Sequence, residues 1–228
     1  MSENRLHGRS FVGEHSFVDV ASKVIGAVGV LKELPRTGWL LRGVPSAVAE
    51  TVAAHSFESA IIAFLLSLEF KRGCGLEVDP LKASLIALFH DIGEAYIGDI
   101  VKRASRLIGE SVKDELELKV IEEEYGGSSP VYSIVKEYVS RESLEARVAR
   151  LAESLSTLVQ SYRYVASGYM AVCEILASMY EKLRRDAEEF SSECVARLFE
   201  LVDLLMERDD IFGKCYQVAG SPEVTEAR

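Results

Sequence analysis

Histidines stand at positions 7, 15, 55 and 90, and the last opens a segment dense in possible ligands, His90-Asp91-Ile-Gly-Glu94-Ala-Tyr-Ile-Gly98-Asp99. One imidazole and three carboxylates fall within ten residues. Imidazole nitrogen combined with carboxylate oxygen suits borderline divalent cations such as Mn, Co, Ni, Fe or Zn. Consecutive residues on a helix project about 100° apart. His90 and Asp91 therefore share an ion only where their helix ends or where it presents them across a groove, and a second histidine must come from another helix. His55 is the candidate. The competing reading, a hydrogen-bonded core histidine on an apolar helix, loses ground to the acidic cluster that follows His90. Gly98 ahead of Asp99 permits a tight turn. His7 and His15, in a polar N-terminal stretch, read as surface residues.

The elements that must carry these groups are helical in period. Phe17, Val20, Val24, Ile25, Val28 and Leu31 form an amphipathic stripe that ends near Pro35. Ala47 to Phe70 reads as a long helix followed by a Gly73-Cys74-Gly75 turn, and Asp79-Pro80 opens a third helix running to His90. Ser111 to Tyr125 is a further helix, whose Glu122-Glu-Glu124 run reads as a solvated face, and it stops at the loop Gly126-Gly-Ser-Ser-Pro130. Val131 to Val139, Ser143 to Val165, Tyr169 to Phe190 and Ser191 to Met206 complete the set. The aromatic and methionine positions between 162 and 180 have the spacing of a core or a dimer seam. No alternating run bounded by hairpin signals indicates a strand. The expectation is an all-α single globular domain over residues 1–228, with its core at about 14–210 and a frayed tail at about 217–228.

Composition bounds the function classes. With 228 residues, 48% apolar and 27% charged, the chain is a folded domain and neither a disordered nor a collagen-like one. Its 26 Lys plus Arg against 36 Asp plus Glu give −10, which argues against long nucleic acids as partners. Cys74, Cys173, Cys194 and Cys215 lie far apart with no C-x-x-C pair, so a zinc knuckle or dithiol redox site is not indicated. Separate thiols in a reducing compartment are the expectation. Met1 to Ser10 has no apolar h-region, and the apolar run Ala60 to Leu68 is too short to span a bilayer. A cytoplasmic protein without membrane attachment is expected.

Four segments in this order resemble a known family: Leu31-Lys-Glu-Leu-Pro-Arg36-Thr-Gly-Trp39-Leu-Leu-Arg42, Val52-Ala-Ala-His55-Ser56, the His90 to Asp99 string, and Ala146-Arg-Val-Ala-Arg-Leu-Ala-Glu153 with Gln160 beyond it. They are similar to the HD-domain metal-dependent phosphohydrolases, and most of all to the branch of 5′-deoxynucleotidases. The resemblance implies an all-α globule that forms a homodimer, with two amphipathic C-terminal helices as a candidate contact. It also implies one divalent ion (Co, Mn, Ni, Fe, Zn or Mg) held by His55, His90, Asp91 and, as a fourth ligand, a second carboxylate. That fourth position is Asp in the family and Glu153 here, one methylene longer. By the same resemblance Glu94 and Asp99 are the catalytic acids, one serving water and the other the departing 5′ oxygen. Arg36 would bind phosphate and Trp39 would help select the deoxyribose, with Arg42 and Lys102 as weaker electrostatic support. Ala54 stands where the family has an acidic neighbour of the histidine, and the stretch between Arg42 and His55 is slightly longer than usual. The implied reaction is hydrolysis of deoxyribonucleoside 5′-monophosphates. Two alternatives stay open: another nucleotide substrate (a triphosphate, a cyclic nucleotide or an alarmone), or a degenerate domain that binds a nucleotide or a partner without turnover.

Overall fold

A computed structural model of the chain describes residues 16–206 together with Ile211 and Cys215. The expected surface histidines His7 and His15 and the expected tail at 217–228 lie outside the described residues. The fold is all-α. In chain order the helices are α1 Phe17–Glu33, α2 Thr37–Leu40, α3 Val52–Gly73, α4 Pro80–Phe89, α5 Glu94–Ile97 and α6 Lys102–Ile108. They continue with α7 Glu110–Tyr125, α8 Pro130–Ser140, α9 Leu144–Ala166, α10 Cys173–Ala187 and α11 Ser192–Met206, and a 3-10 turn at Met170–Val172 leads into α10. Among the described residues no strand forms, only an isolated antiparallel bridge between Pro35 and Thr51.

Local chemistry fixes where the helices begin. Ser16 and Asp19 close a capping box on α1, Asp79 accepts the Leu81 and Lys82 amides ahead of Pro80, and Ser129 and Ser143 cap α8 and α9. Each such cap stabilises its helix by about 1 kcal/mol. The start of α3 differs from the sequence expectation. Ala47 to Glu50 is not helical: the Pro45 carbonyl accepts the Val48 and Ala49 amides in a turn, and Thr51 caps the helix by accepting the Ala54 N–H. The freed segment lies antiparallel to Leu34–Arg36, with the Arg36 amide donating to the Glu50 carbonyl and the Val52 amide to Leu34, both at 2.9 Å. Arg36 and Glu50 are thereby clamped side by side next to the first turn of α3. The expected helix Tyr169 to Phe190 is likewise shorter, because Gly168, at φ 97°, breaks the chain direction before α10.

The main core is built where α3, α4, α9 and α10 pack together. Ala63, Ala83, Ala87, Ala149 and Ala152, all buried, let the first three of these approach closely, and Leu66, Ile86, Leu151, Leu155, Leu176 and Leu183 fill the space between. α9 is buried along nearly its whole length. A second cluster, Ala27, Leu31, Val52, Ile92, Ile121, Tyr125, Val131 and Val135, seats α1, α7 and α8 around the His90–Ile97 segment. By length and apolar composition α3 would suffice to cross a bilayer, more than the run Ala60 to Leu68 suggests, but one of its faces is committed to this core.

The expectation of separate thiols is not met. Cys74 at the end of α3 is joined to Cys194 in α11, and Cys173 at the start of α10 to Cys215. The partners are 120 and 42 residues apart in sequence, so no spacing motif could announce them. Only the return of α11 onto α3 brings Cys194 to Cys74, and Cys215 reaches Cys173 from beyond α11. Loops of that size give roughly 4–5 kcal/mol each in the chain-entropy picture. Dithiothreitol is therefore expected to lower Tm by about 10 °C or more, and thiol titration of the unfolded, unreduced protein to find none of these four cysteines reactive. Four reactive thiols would contradict the pairing.

Candidate metal centre and its surroundings

His55 sits one turn into α3 and is fully buried. α4 ends at Phe89, so His90 is its cap residue and Asp91 begins the turn into α5. This helix end lets two consecutive residues face one space, which a continuing helix would prevent. The ligand atoms of His55, His90 and Asp91 lie within 4.8 Å of one another, and the two imidazoles meet edge to face with centroids 5.3 Å apart.

Hydrogen bonds decide which ring nitrogens are available. His90 Nδ1 donates to the Ala87 carbonyl at 2.7 Å, and His55 Nδ1 is 3.2 Å from the Ser156 hydroxyl. Both rings therefore turn Nε2 inward, and His55 Nε2 is buried without a hydrogen-bond partner. His90 Nε2 lies 2.9 Å from Asp91 Oδ2. A neutral imidazole lone pair facing a carboxylate at that distance is repulsive unless a proton or cation stands between them. Burial holds His55 well below its ordinary pKa, aided by Arg36 and His90. Burial acts on His90 in the same direction, but the Asp91 carboxylate outweighs it and raises the group. Asp91 is burdened by burial yet held far below the usual carboxylate range by His90, His55 and Arg36. Two inward nitrogens and an ionised carboxylate gathered in one buried space fit a borderline divalent cation.

The remaining residues named from sequence surround this cluster at different depths. Glu153, on α9, points its carboxylate at Lys182 of α10, 3.1 Å away, and lies beyond the group of three mutually close ligands. Its charge still acts on His55 and His90. Lys182 also donates to Ser154 and pairs with Asp186. Glu94 is buried, one of its carboxylate oxygens has no hydrogen-bond partner, and burial with Asp91 and Asp99 pushes its pKa well up. Asp99 accepts the Thr37 amide at the start of α2, while the Thr37 hydroxyl donates to the Asp99 carbonyl at 3.2 Å. Arg36, just before Thr37, donates to Thr157 on α9 at 3.0 Å and lies 4.0 Å from Glu50. Its charge reaches Asp91, Asp99 and Glu153. Arg42 pairs with Glu174 at 2.8 Å, and Lys102, at the start of α6, feels Arg106, Lys182 and Arg185.

Trp39 is 2% exposed and packs edge to face on Tyr164. Its indole N–H donates to Glu50 at 3.0 Å, so it meets the site through Glu50 and Arg36. Sequence reasoning passed over Glu50, although it is the only acidic residue between Glu33 and Glu58. Burial pushes Glu50 up to about 7 against the pull of Arg36 and the Trp39 hydrogen bond. The folded chain thus binds a proton there that the unfolded chain releases near pH 4.5, and stability falls as pH rises towards 7, then levels. Urea unfolding across that window should show the slope of stability on pH become shallower in Glu50→Gln, by about one proton, ~1.4 kcal/mol per pH unit. An unchanged slope would contradict the assignment. Glu58 and Ser156, which support His55, were also passed over, and neither residue type nor spacing marks them.

Comparison with known proteins places this geometry in context. A family model described as HD domain matches residues 28–194. The chain is 30% identical over 142 residues to the 5′-deoxynucleotidase HDDC2 of Dictyostelium discoideum, covering 60% of this chain and 73% of that one. Against the proteins of the same name from Danio rerio and Homo sapiens identity is 26% and 24%, again over 60% of this chain, and the matched part spans 66% and 64% of their lengths. Among solved structures, a conserved hypothetical protein from Pyrococcus furiosus superposes with a TM-score of 0.66 at 31% identity, covering 82% of this chain and 99% of that one. An HD-domain phosphohydrolase from Listeria innocua superposes with a TM-score of 0.62 at 20% identity over 91% of this chain and 99% of that one, a likeness of fold.

Proposed function

The chain belongs to the HD domain family, and from that premise we propose that it is a divalent-metal-dependent phosphohydrolase that converts deoxyribonucleoside 5′-monophosphates to deoxynucleoside and inorganic phosphate. The observation that carries the reading is the close inward group of His55 Nε2, His90 Nε2 and the Asp91 carboxylate, with His55 Nε2 left without a hydrogen-bond partner, beside Arg36 and Glu94. These residues would hold the ion, with Glu153 as a fourth ligand and second carboxylate if it exchanges Lys182 for it. A divalent ion there supplies polarisation of a phosphoryl oxygen and a lowered pKa for water.

The chain's own groups account for the rest. Arg36 presents a planar fork to the phosphate oxygens, and Thr157 and Glu50 hold that fork in place. Asp99, anchored by the Thr37 amide, accepts the proton of the attacking water. Glu94, kept protonated by burial and its carboxylate neighbours, passes a proton to the 5′ oxygen as the P–O bond breaks. Trp39 supports Arg36 through Glu50, to which its indole N–H donates.

The test is phosphate release from a panel of 5′-dNMPs and 5′-NMPs with Co²⁺, Mn²⁺ or Mg²⁺. Release from the deoxy series above the ribo series supports the reading. Absence of release with every metal sinks it, and pyrophosphate or triphosphate release from a nucleoside triphosphate would move the substrate to another class. A second reading, binding without turnover, is favoured by the Glu153–Lys182 ion pair, which neutralises the carboxylate offered as fourth ligand. A protein that takes up no metal until Glu153→Asp is introduced would favour it.

A further inference from the structure

His55 and His90 are held by different devices. His90 is oriented by a backbone carbonyl, that of Ala87, whereas His55 depends on side chains. Its Nδ1 is 3.2 Å from Ser156 Oγ on α9, and Ser156 Oγ donates at 2.8 Å to Glu58 Oε2 on α3, one turn beyond His55 itself. Glu58 is tied in turn to Arg163 at 2.8 Å, and Arg163 also reaches the Gln160 side chain at 3.2 Å. His55 and Ser156 are fully buried, so no bulk water competes for these bonds.

A hydroxyl carries one proton. An ionised carboxylate can only accept, so the Ser156 proton is committed to Glu58 and the serine oxygen is left to accept from His55. We infer that Glu58 and Ser156 form a positioning relay that forces His55 into the Nδ1–H tautomer and aims its Nε2 lone pair at the space shared with His90 and Asp91. Ala54, the residue beside His55 in sequence, is exposed and takes no part. The relay crosses from α3 to α9 and back, so it also ties the ring's aim to the packing of those two helices.

The relay bears on metal affinity only if the metal reading above is right, but the tautomer does not depend on that reading. Two readouts therefore separate the claims. Nitrogen-15 NMR of the imidazoles in the metal-free full-length chain should find His55 as a single Nδ1–H tautomer, and Ser156→Ala should yield a mixture or the Nε2–H form. Calorimetric titration with Mn²⁺ or Co²⁺ should find affinity lowered about 10–100-fold by Ser156→Ala. Glu58→Gln keeps an acceptor but removes the charge, and it should give a smaller loss in the same direction. It serves as the second variant should Ser156→Ala fold poorly. A wild-type chain with the His55 proton on Nε2 would overturn the inference. So would variants that fold yet keep both the wild-type tautomer and an affinity within twofold. A tautomer shift in a chain that takes up no metal would uphold the relay and count against the metal reading instead.

Discussion

Replacing Asp91 by alanine is expected to abolish metal uptake at the His55–His90 pair and to lower phosphate release by at least about 10³-fold, the scale of losing a metal-supplied nucleophile and charge clamp. Among the described residues Asp91 is the carboxylate grouped with the inward nitrogens, with Oδ2 2.9 Å from His90 Nε2. Without it, two neutral imidazoles must retain a doubly charged ion beside Arg36, whose guanidinium repels it. Glu153 does not substitute while Lys182 engages its carboxylate. Asp91→Asn separates charge from shape: it keeps an oxygen at the same place, and it should recover part of the fold stability and little of the metal. Metal analysis of the purified variants and phosphate release on a common substrate check both statements. An Asp91→Ala protein that retains wild-type release would remove the cluster from the chemistry.

Replacing Glu94 by glutamine is expected to lower kcat by about 10²–10⁴-fold with a small change in KM. The substitution conserves volume and a hydrogen-bonding end but deletes the transferable proton. Burial, reinforced by the nearby negative charges of Asp91 and Asp99, pushes the Glu94 pKa up, so the side chain carries a proton at a pH where an exposed glutamate has lost it. Lys113 acts in the opposite direction from α7, where it is paired with Glu117 at 2.8 Å. Release in the wild type should fall as pH rises through the Glu94 pKa, and that limb should be absent in Glu94→Gln. Steady-state kinetics over pH with a 5′-dNMP provide the measurement. An unchanged kcat would assign the proton to another group.

Much of the frame is legible in the sequence because it is local. The α1 stripe, Asp79-Pro80, the Gly126 to Pro130 loop and Ser143 set helices through contacts within a turn or two. The His90-Asp91 pair is legible for a related reason: two adjacent ligands need a helix end, and the acidic string after Phe89 supplies one. What the sequence conceals is non-local. Ala47 to Glu50 has a helix-forming composition, yet Val48 and Ala49 turn back on the Pro45 carbonyl while Glu50 and Val52 bond to Arg36 and Leu34. The partners of Glu153, His55 and Trp39 are Lys182, Ser156 and Glu50, and only the packed helices bring the first two pairs together. Pairing of Cys74 with Cys194 likewise depends on α11 returning to α3. Helix periods place the helices, but on α1 they miss the buried face, since Phe17, Ile25 and Val28 of its stripe are exposed, and they do not say which of several distant polar residues will meet.

One divalent ion held at His55, His90 and Asp91 is what would make this chain the phosphomonoester hydrolase we propose. The most direct test of this is to strip the wild-type protein with a chelator and follow phosphate release from a 5′-dNMP as Co²⁺ is returned. No release is expected from the stripped protein, and restoration should saturate at one equivalent per chain. Release that survives stripping, or that fails to return with any divalent ion, would contradict it.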